Sequence, residues 1–439
     1  MIGNPLPIVW ADVRRNRAGV IAVVVLIGIA VALGVAVSAQ DRALRKGSAR
    51  AADPFDLIIG APGSETQLVL SAVYLQPASV GLVEGSVLKA LSETDGVVYA
   101  APIAFGDAYR GHPVVGTTAQ FLDWRARHGG RGGDALIQGR IFQAMFEAVV
   151  GAEVALTLGS SFSPIHGQIE LGSQGEQAQA EDGDGNGDAL EEWEHRHGLF
   201  AYTVVGRMPP SGSPWDRAII VPVESVWRVH ALPSGHETGD VAAGAQAPDP
   251  GRIGPPWDGD TVPGVPAIVV KPEAVRDAYV LRSRYRSEDT MAVFPAEVLI
   301  RLYDLLGDAR AVLASIAVAT QALVIGAVLL AVFAALALRR RQRAVLRALG
   351  ASRGYVFAVI WTHVALMIAL GAGLGLALGW WGATLLSQAF TGETGIAMQV
   401  GITAKEVAMV LALLAIGLVL ATVPGVMAYR QPVSTGLKA

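Results

Sequence analysis

Residues 339–352 read Arg339-Arg340-Arg341-Gln342-Arg343-Ala344-Val345-Leu346-Arg347-Ala348-Leu349-Gly350-Ala351-Ser352. This cationic run lies between two apolar stretches. Residues 311–338 carry only Gln321 and small hydroxyls as polar content, and residues 356–386 are interrupted chiefly by His363. Each exceeds the roughly 18 apolar residues that cross a hydrocarbon core about 30 Å thick. Arginine-dense loops between such stretches stay on the cytoplasmic side. The segment therefore fixes both the class of the protein and its orientation.

Two further apolar stretches lie outward of this pair, at 18–39 and 407–427. A polar segment of about 270 residues separates the first stretch from the second and holds 7 of the 8 histidines, so it reads as a folded domain rather than a connector. The expected fold is a membrane protein of four transmembrane α-helices, one plus three, with a large mixed α/β extracytoplasmic domain between helices one and two. The expected order is a cytoplasmic N-terminus (1–17), helix one (18–39), the outer domain (40–308) and helix two (309–338). A cytoplasmic coupling loop (339–354), helix three (355–386), a short outer loop (387–404), helix four (405–428) and a cytoplasmic tail (429–439) complete the chain. Arg14, Arg15 and Arg17 before helix one agree with this orientation, whereas Arg42, Arg45, Lys46 and Arg50 just after it oppose it. The arginine loop outweighs them. The first apolar run is longer than the 7–15 residues of a signal-peptide core, so it is expected to remain as an anchor.

Composition agrees. Hydrophobic residues make up 52% of the 439 and charged residues 16%, against about 25% charged in soluble globular chains. Mean hydropathy is +0.43. A soluble cytosolic enzyme and a disordered chain are excluded. The net charge of −4 gives no footprint for nucleic acid, and the absence of cysteine removes disulfides and thiolate metal sites.

Within the outer domain, short apolar runs at 56–60, 96–100, 201–205, 218–221 and 266–270 predict buried strands. Helices are predicted at 83–91, 272–285 and 296–307. An acidic Gly/Gln-rich stretch (167–192) and a Pro/Gly-rich stretch (234–264) read as flexible loops.

The arginine loop resembles the cytoplasmic loop of the MacB, LolC/LolE and FtsX superfamily of ABC transporter permeases, called type VII, in which "R-E-I-A-V-L-R-A-L-G-A-S" is usual. Gln342 stands where the family prefers Glu. The C-terminal Pro424-Gly425-Val426-Met427-Ala428-Tyr429-Arg430-Gln431-Pro432-Val433 is similar to the family's ending. The stretches 139–159 and 200–222 are similar to parts of its outer domain. The resemblance implies a permease subunit in the bacterial inner membrane, multi-pass, working as a homodimer or as a heterodimer with a related permease. It implies a separate cytoplasmic ABC ATPase subunit that carries the ATP, and force transmitted through the helices to the outer domain (mechanotransmission). It further implies export or extraction of a lipoprotein, peptide or similar substrate, with a periplasmic lipoprotein or adaptor as an outer partner. The alternatives are an FtsX-like scaffold that activates an outer partner such as a cell-wall hydrolase, and a metal-linked transport system. FtsX-like outer domains are small, so the size of this one favours the exporter. On this reading Arg343, Val345, Leu346, Arg347, Leu349 and Ser352 couple to the ATPase, with Val345, Leu346 and Leu349 on one side of a short helix. The competing reading is that the arginines only satisfy orientation.

No catalytic or nucleotide-binding motif is read in the chain, so it is not expected to be an enzyme. Gly-Lys does not occur, which excludes a P-loop, and no H-E-x-x-H is present. Gly350-Ala351-Ser352-Arg353-Gly354 matches G-x-S-x-G but lacks the preceding strand that a nucleophile elbow needs. The stretch 182–188 begins like a calcium loop, yet Trp193 occupies the place of the twelfth ligand. His195 and His197 with Glu194 offer imidazole and carboxylate chemistry suited to Zn²⁺; the bland reading is an exposed loop. Gly371, Gly375 and Gly379 have the small-xxx-small spacing of close helix packing, either within the chain or at a dimer face.

Overall fold

The computed structural model describes the chain except residues 1–3, 77–79, 129–137, 167–199, 237–250, 306, 308–310, 313–314, 317, 321, 324–325, 327–349, 424–425 and 427–439. The chain folds as two compact units: Met1–Arg45 with Leu306–Ala389 and Met398–Ala439, and Lys46–Leu305 with Phe390–Ala397.

The first unit is helical. Among the described residues two helices are long and apolar enough to cross a membrane, Arg17–Ala52 and Arg353–Thr394. A third, Ala404–Leu420, has 17 residues and a similar apolar character. Most of the expected second span lies outside the described residues. The small-residue stripe packs within the chain. A Cβ on Gly371 would stand 2.6 Å from the Ile27 Cβ, one on Gly375 2.5 Å from the Val31 Cβ, and one on Gly379 2.8 Å from the Val35 Cβ. Glycine removes the bulk that would otherwise part the two helices. In this structure the stripe is therefore an intramolecular seam between helices one and three, not an open dimer face. Trp380 and Trp381 are exposed on the third helix, and tryptophan rings are enriched at membrane–water boundaries.

Helix boundaries differ from the apolar runs. The first helix does not stop at residue 39; it continues to Ala52. Apart from Gly47, residues 40–52 are mostly good helix formers, with an Asp41–Arg45 pair four apart, so polarity ends the apolar stretch without ending the helix. The third helix likewise runs to Thr394, past the expected 386, and the connection to the next helix shrinks to 395–403.

The second unit is α/β. Its strands, in chain order, are β1 (Leu57–Gly60), β2 (Val97–Tyr109), β3 (His112–Thr117), β4 (Gln138–Gly139), β5 (Glu147–Val150), β6 (Ser161–Phe162), β7 (Ile165–His166), β8 (Tyr202–Arg207), β9 (Ile219–Pro222), β10 (Ala267–Pro272) and β11 (Met291–Val293). The main path is β11-β1-β10-β2-β3-β9-β5-β8-β4, with β6 on β8 and β7 on β2. The pairs β3–β9 and β5–β8 are parallel; the others are antiparallel. Alternation sends Ile58, Ala267 and Val269 into one core and Leu57, Ile59, Ile268 and Val270 into another. Both faces of the central strands are buried, which is why these strands read as continuous apolar runs. Among the sequence-predicted helices, Gly85–Ser92, Val275–Arg284 and Pro295–Leu305 form close to where they were expected. Helices Glu65–Tyr74, Ala119–His128 and Val223–Val229 were not read from the sequence.

The Pro/Gly stretch needs a correction. Its longer described part, 251–264, lacks helix or strand but is not loose. Trp257 is completely buried, and its indole N–H donates to Glu224 at 3.1 Å. Gly254 N–H donates to the same carboxylate at 2.8 Å, and Gly259 N–H to Gly235 O at 3.0 Å. A single large aromatic and a buried acceptor do the anchoring that an apolar periodicity normally does.

Candidate functional site

Of the sequence-predicted coupling residues, Arg343, Val345, Leu346, Arg347 and Leu349 lie outside the described residues. Ser352 is described. Its Oγ accepts the Tyr355 N–H at 3.1 Å and its carbonyl accepts the Val356 N–H at 3.2 Å. It is thus the N-cap of the third helix, with Gly350 at φ +98° making the preceding turn. His195, His197 and Glu194, and the calcium-loop-like 182–188, also lie outside the described residues. Among the described residues no cluster of three His, Asp or Glu is arranged to hold a metal. His230 instead faces the Val226 carbonyl at 2.9 Å and Asp107 at 3.8 Å.

Two constellations that the sequence reading did not single out organise the ends of the helices. In the first unit, Glu406 is 1% exposed at the start of the last helix. Its carboxylate pairs with Arg42 and accepts from Ser38 Oγ at 2.9 Å and Thr403 N–H at 2.9 Å. Arg42 also donates to Gly401 O at 2.6 Å. Thr403-Ala404-Lys405-Glu406 is a capping box before an apolar run, a signal readable from sequence. The pairing also explains why Arg42 is weak evidence on orientation: its charge is neutralised inside the unit.

In the second unit, the turn 211–217 receives the segment Phe390–Ala397. The Asp216 carboxylate accepts the N–H groups of Ser211 at 2.9 Å and Gly212 at 2.7 Å, which closes the turn. Ala397 N–H then donates to Gly212 O at 3.0 Å. The Arg217 guanidinium donates to Gly392 O at 2.8 Å and Glu393 O at 3.3 Å, in the last turn of the third helix. A cation there meets the negative end of the helix dipole. Gly395, at φ +68°, lets the chain leave the helix; a Cβ would approach Pro214 Cα to 3.0 Å. Ile396 joins the core built by Phe55, Phe121 and Trp215. Behind the turn lies Arg125, 4% exposed, with its guanidinium over the Trp215 ring at 4.9 Å and 3.3 Å from Ser213 Oγ. Burial lowers the Arg125 pKa to about 10, opposed by the nearby Asp216 carboxylate.

Residues 314–433 match the family described as FtsX-like permease C-terminal. The chain carries an FtsX-like permease domain. The match contains the arginine loop that raised the resemblance. Similar solved structures include the periplasmic region of MacB from Actinobacillus actinomycetemcomitans, at 10% identity over 58% of this chain and 95% of that one, TM-score 0.31. The extracellular domain of the noncanonic ABC-type transporter YknZ from Gram-positive bacteria is another, at 11% identity over 54% and 98%, TM-score 0.27. A search of curated proteins finds no match. The likeness to FtsX-like permeases thus rests on the C-terminal part of the chain.

Proposed function

We propose that this permease converts ATP hydrolysis by a separate cytoplasmic ATPase subunit into movement of its outer domain. The supporting observation is that the second unit is built from two separated pieces of chain. Phe390–Ala397, which spans the end of the third helix and the first three residues beyond it, is part of that unit, with Ile396 in its core and Arg217 on the helix's last carbonyls. The first helix, too, is unbroken from Arg17 into the second unit at Lys46–Ala52. Helical segments that end inside a folded domain cannot shift without carrying their termini, and so the domain's segments, with them. On this reading four spans place the arginine loop in the cytoplasm, residues 343–352 dock on the ATPase, and two permease subunits pair. The substrate, a lipoprotein, peptide or similar molecule, is handled outside the membrane.

Co-purification from detergent tests this. Mass spectrometry of the purified complex is expected to recover an ABC ATPase, and the permease freed of it is expected to hydrolyse no ATP. Recovery of the permease without any ATPase, together with intrinsic ATP hydrolysis, would overturn the proposal.

A further inference from the structure

His236 is a buried titratable residue with no role in the proposed coupling to the ATPase. Its side chain is 7% exposed, and among the described residues neither ring nitrogen has a hydrogen-bond partner. Each nitrogen nevertheless faces a carboxylate. Nε2 lies 3.6 Å from Glu224 Oε1 and Nδ1 lies 3.7 Å from Asp258 Oδ1. Glu224 projects from helix Val223–Val229 and is 1% exposed. Its other identified partners are the neutral N–H groups of Gly254 and Trp257. Asp258 belongs to the 251–264 arm and is also paired with Arg252 at 2.7 Å. Lys89 reaches the same arm through Gly259 O at 3.5 Å, so its charge is directed at backbone rather than at the imidazole.

We propose that His236 is a proton-operated latch that fastens the 251–264 arm to helix Val223–Val229. A protonated imidazole donates from both nitrogens and fits between two carboxylates. A neutral imidazole has one N–H and must turn a lone pair toward the other carboxylate. Protonation also supplies the positive charge that a buried Glu224 lacks when only neutral donors surround it. Histidine is the side chain whose charge changes between pH 5 and 8. The arm is therefore held tighter when the imidazole carries its second proton and looser when it is neutral. The same arm forms one wall of a cleft of about 480 Å³ lined by Leu82, Glu84, Lys89, Asp260, Thr261 and Val262. The latch thus controls how firmly that wall stands.

Hydrogen exchange read by mass spectrometry on the full-length protein in detergent tests the latch, at about pH 5.5 and about pH 8 with intrinsic exchange corrected. Peptides covering 251–264 are expected to exchange about tenfold more slowly at the lower pH, the size of a charge-assisted hydrogen bond. His236→Gln, which cannot take up a proton, is expected to abolish this difference while peptides from β1 and β10 exchange as in the wild type. If His236→Gln disturbs the whole domain, Asp258→Asn replaces it, since that side chain is 40% exposed and its loss leaves the core intact; it is expected to shrink the pH difference. A wild-type arm with no pH difference overturns the latch. So does a difference that survives unchanged in His236→Gln or, where that variant is disturbed, in Asp258→Asn.

Discussion

Arg42 and Glu406, 364 residues apart in sequence, form an ion pair that ties the first helix to the start of the last, with the Glu406 side chain wholly enclosed. The pair is not isolated. Ser38 and Thr403 complete the hydrogen bonding of the carboxylate, and Gly401 O accepts from the guanidinium. Desolvation on this scale is tolerated only when every lone pair finds a donor.

Removing one member leaves a buried charge without compensation. Arg42→Ala is expected to cost about 3–5 kcal/mol, and Arg42→Ala with Glu406→Gln together less than Arg42→Ala alone. Thermal unfolding of the detergent-solubilised protein measures this. Equal losses in the single and double variants would show that the pair contributes no coupling.

The glycine seam predicts a contrast between neighbours. Gly375→Leu drives a side chain into Val31, whereas a Cβ at Gly373 meets nothing within 4 Å. Overpacking costs roughly 1–3 kcal/mol, so Gly375→Leu should lower the unfolding midpoint and Gly373→Leu should leave it almost unchanged. Two variants of equal stability would mean that the helices do not meet at this seam.

The seat of Phe390–Ala397 predicts an uncoupled permease. Ile396→Asp places a charge in the core of Phe55, Phe121 and Trp215, and Arg217→Ala removes the donor to Gly392 and Glu393. With both changes the ATPase should still bind and hydrolyse ATP, but the outer domain should no longer respond. Single-cysteine fluorescence on the outer domain reports this directly, since the chain has no native cysteine. An unchanged ATP-dependent signal in the double variant counts against the seat.

Docking of the ATPase is expected to depend on the apolar side of residues 343–352. Leu346→Glu and Leu349→Glu together remove roughly 1.5–3 kcal/mol of burial per leucine and set charges at a desolvated surface. Co-purification of the ATPase should be lost, whereas Arg340→Ala should have a lesser effect. Full recovery of the ATPase with the double substitution would place the contact elsewhere.

Acid should loosen one corner of the outer domain. The Arg140 side chain holds the Glu147 carboxyl below the usual carboxylate range, with the Gln143 and Ala144 N–H groups assisting against burial. A depressed folded value means that the pair stabilises fully above the unfolded pKa of about 4.3 and loses that contribution as pH falls through the lower folded value. Denaturation curves of wild type and Glu147→Gln should differ by about 1 kcal/mol near neutrality and converge as pH falls through the depressed folded value. A gap that persists in acid would assign the stabilisation to something other than charge.

Much of the architecture is legible in the sequence, and the misreadings share a cause. Apolar runs report where side chains meet lipid or core, so they located the first and third helices but ended them early. Residues 40–52 are too polar to extend the apolar run yet are still helical, and their small apolar residues Ala43, Ala51 and Ala52 are buried. Strand β2 reads as five residues because Pro102 and Gly106 look like punctuation, yet it runs to 13, with the register shift between Phe105 and Asp107 absorbing Gly106 as a bulge. Trp257 could not be placed because its acceptor, Glu224, lies 33 residues earlier on an element whose helical spacing spans only two turns. Arg217 and Ile396 carried no local pattern at all. Their partners are 175 residues away and within a buried core, respectively, and such pairings appear only once the fold is made.

Gly371, Gly375 and Gly379 against Ile27, Val31 and Val35 form notches and teeth at a matching four-residue pitch on two helices that run the same way. A tooth seated in a notch resists axial slip until it clears the rim, and the next notch lies four residues, roughly 6 Å, further on. Small displacements along one helix are therefore handed to the other at full stroke, as in a rack meshed with its twin. A stroke large enough to disengage would advance by a whole pitch rather than by degrees.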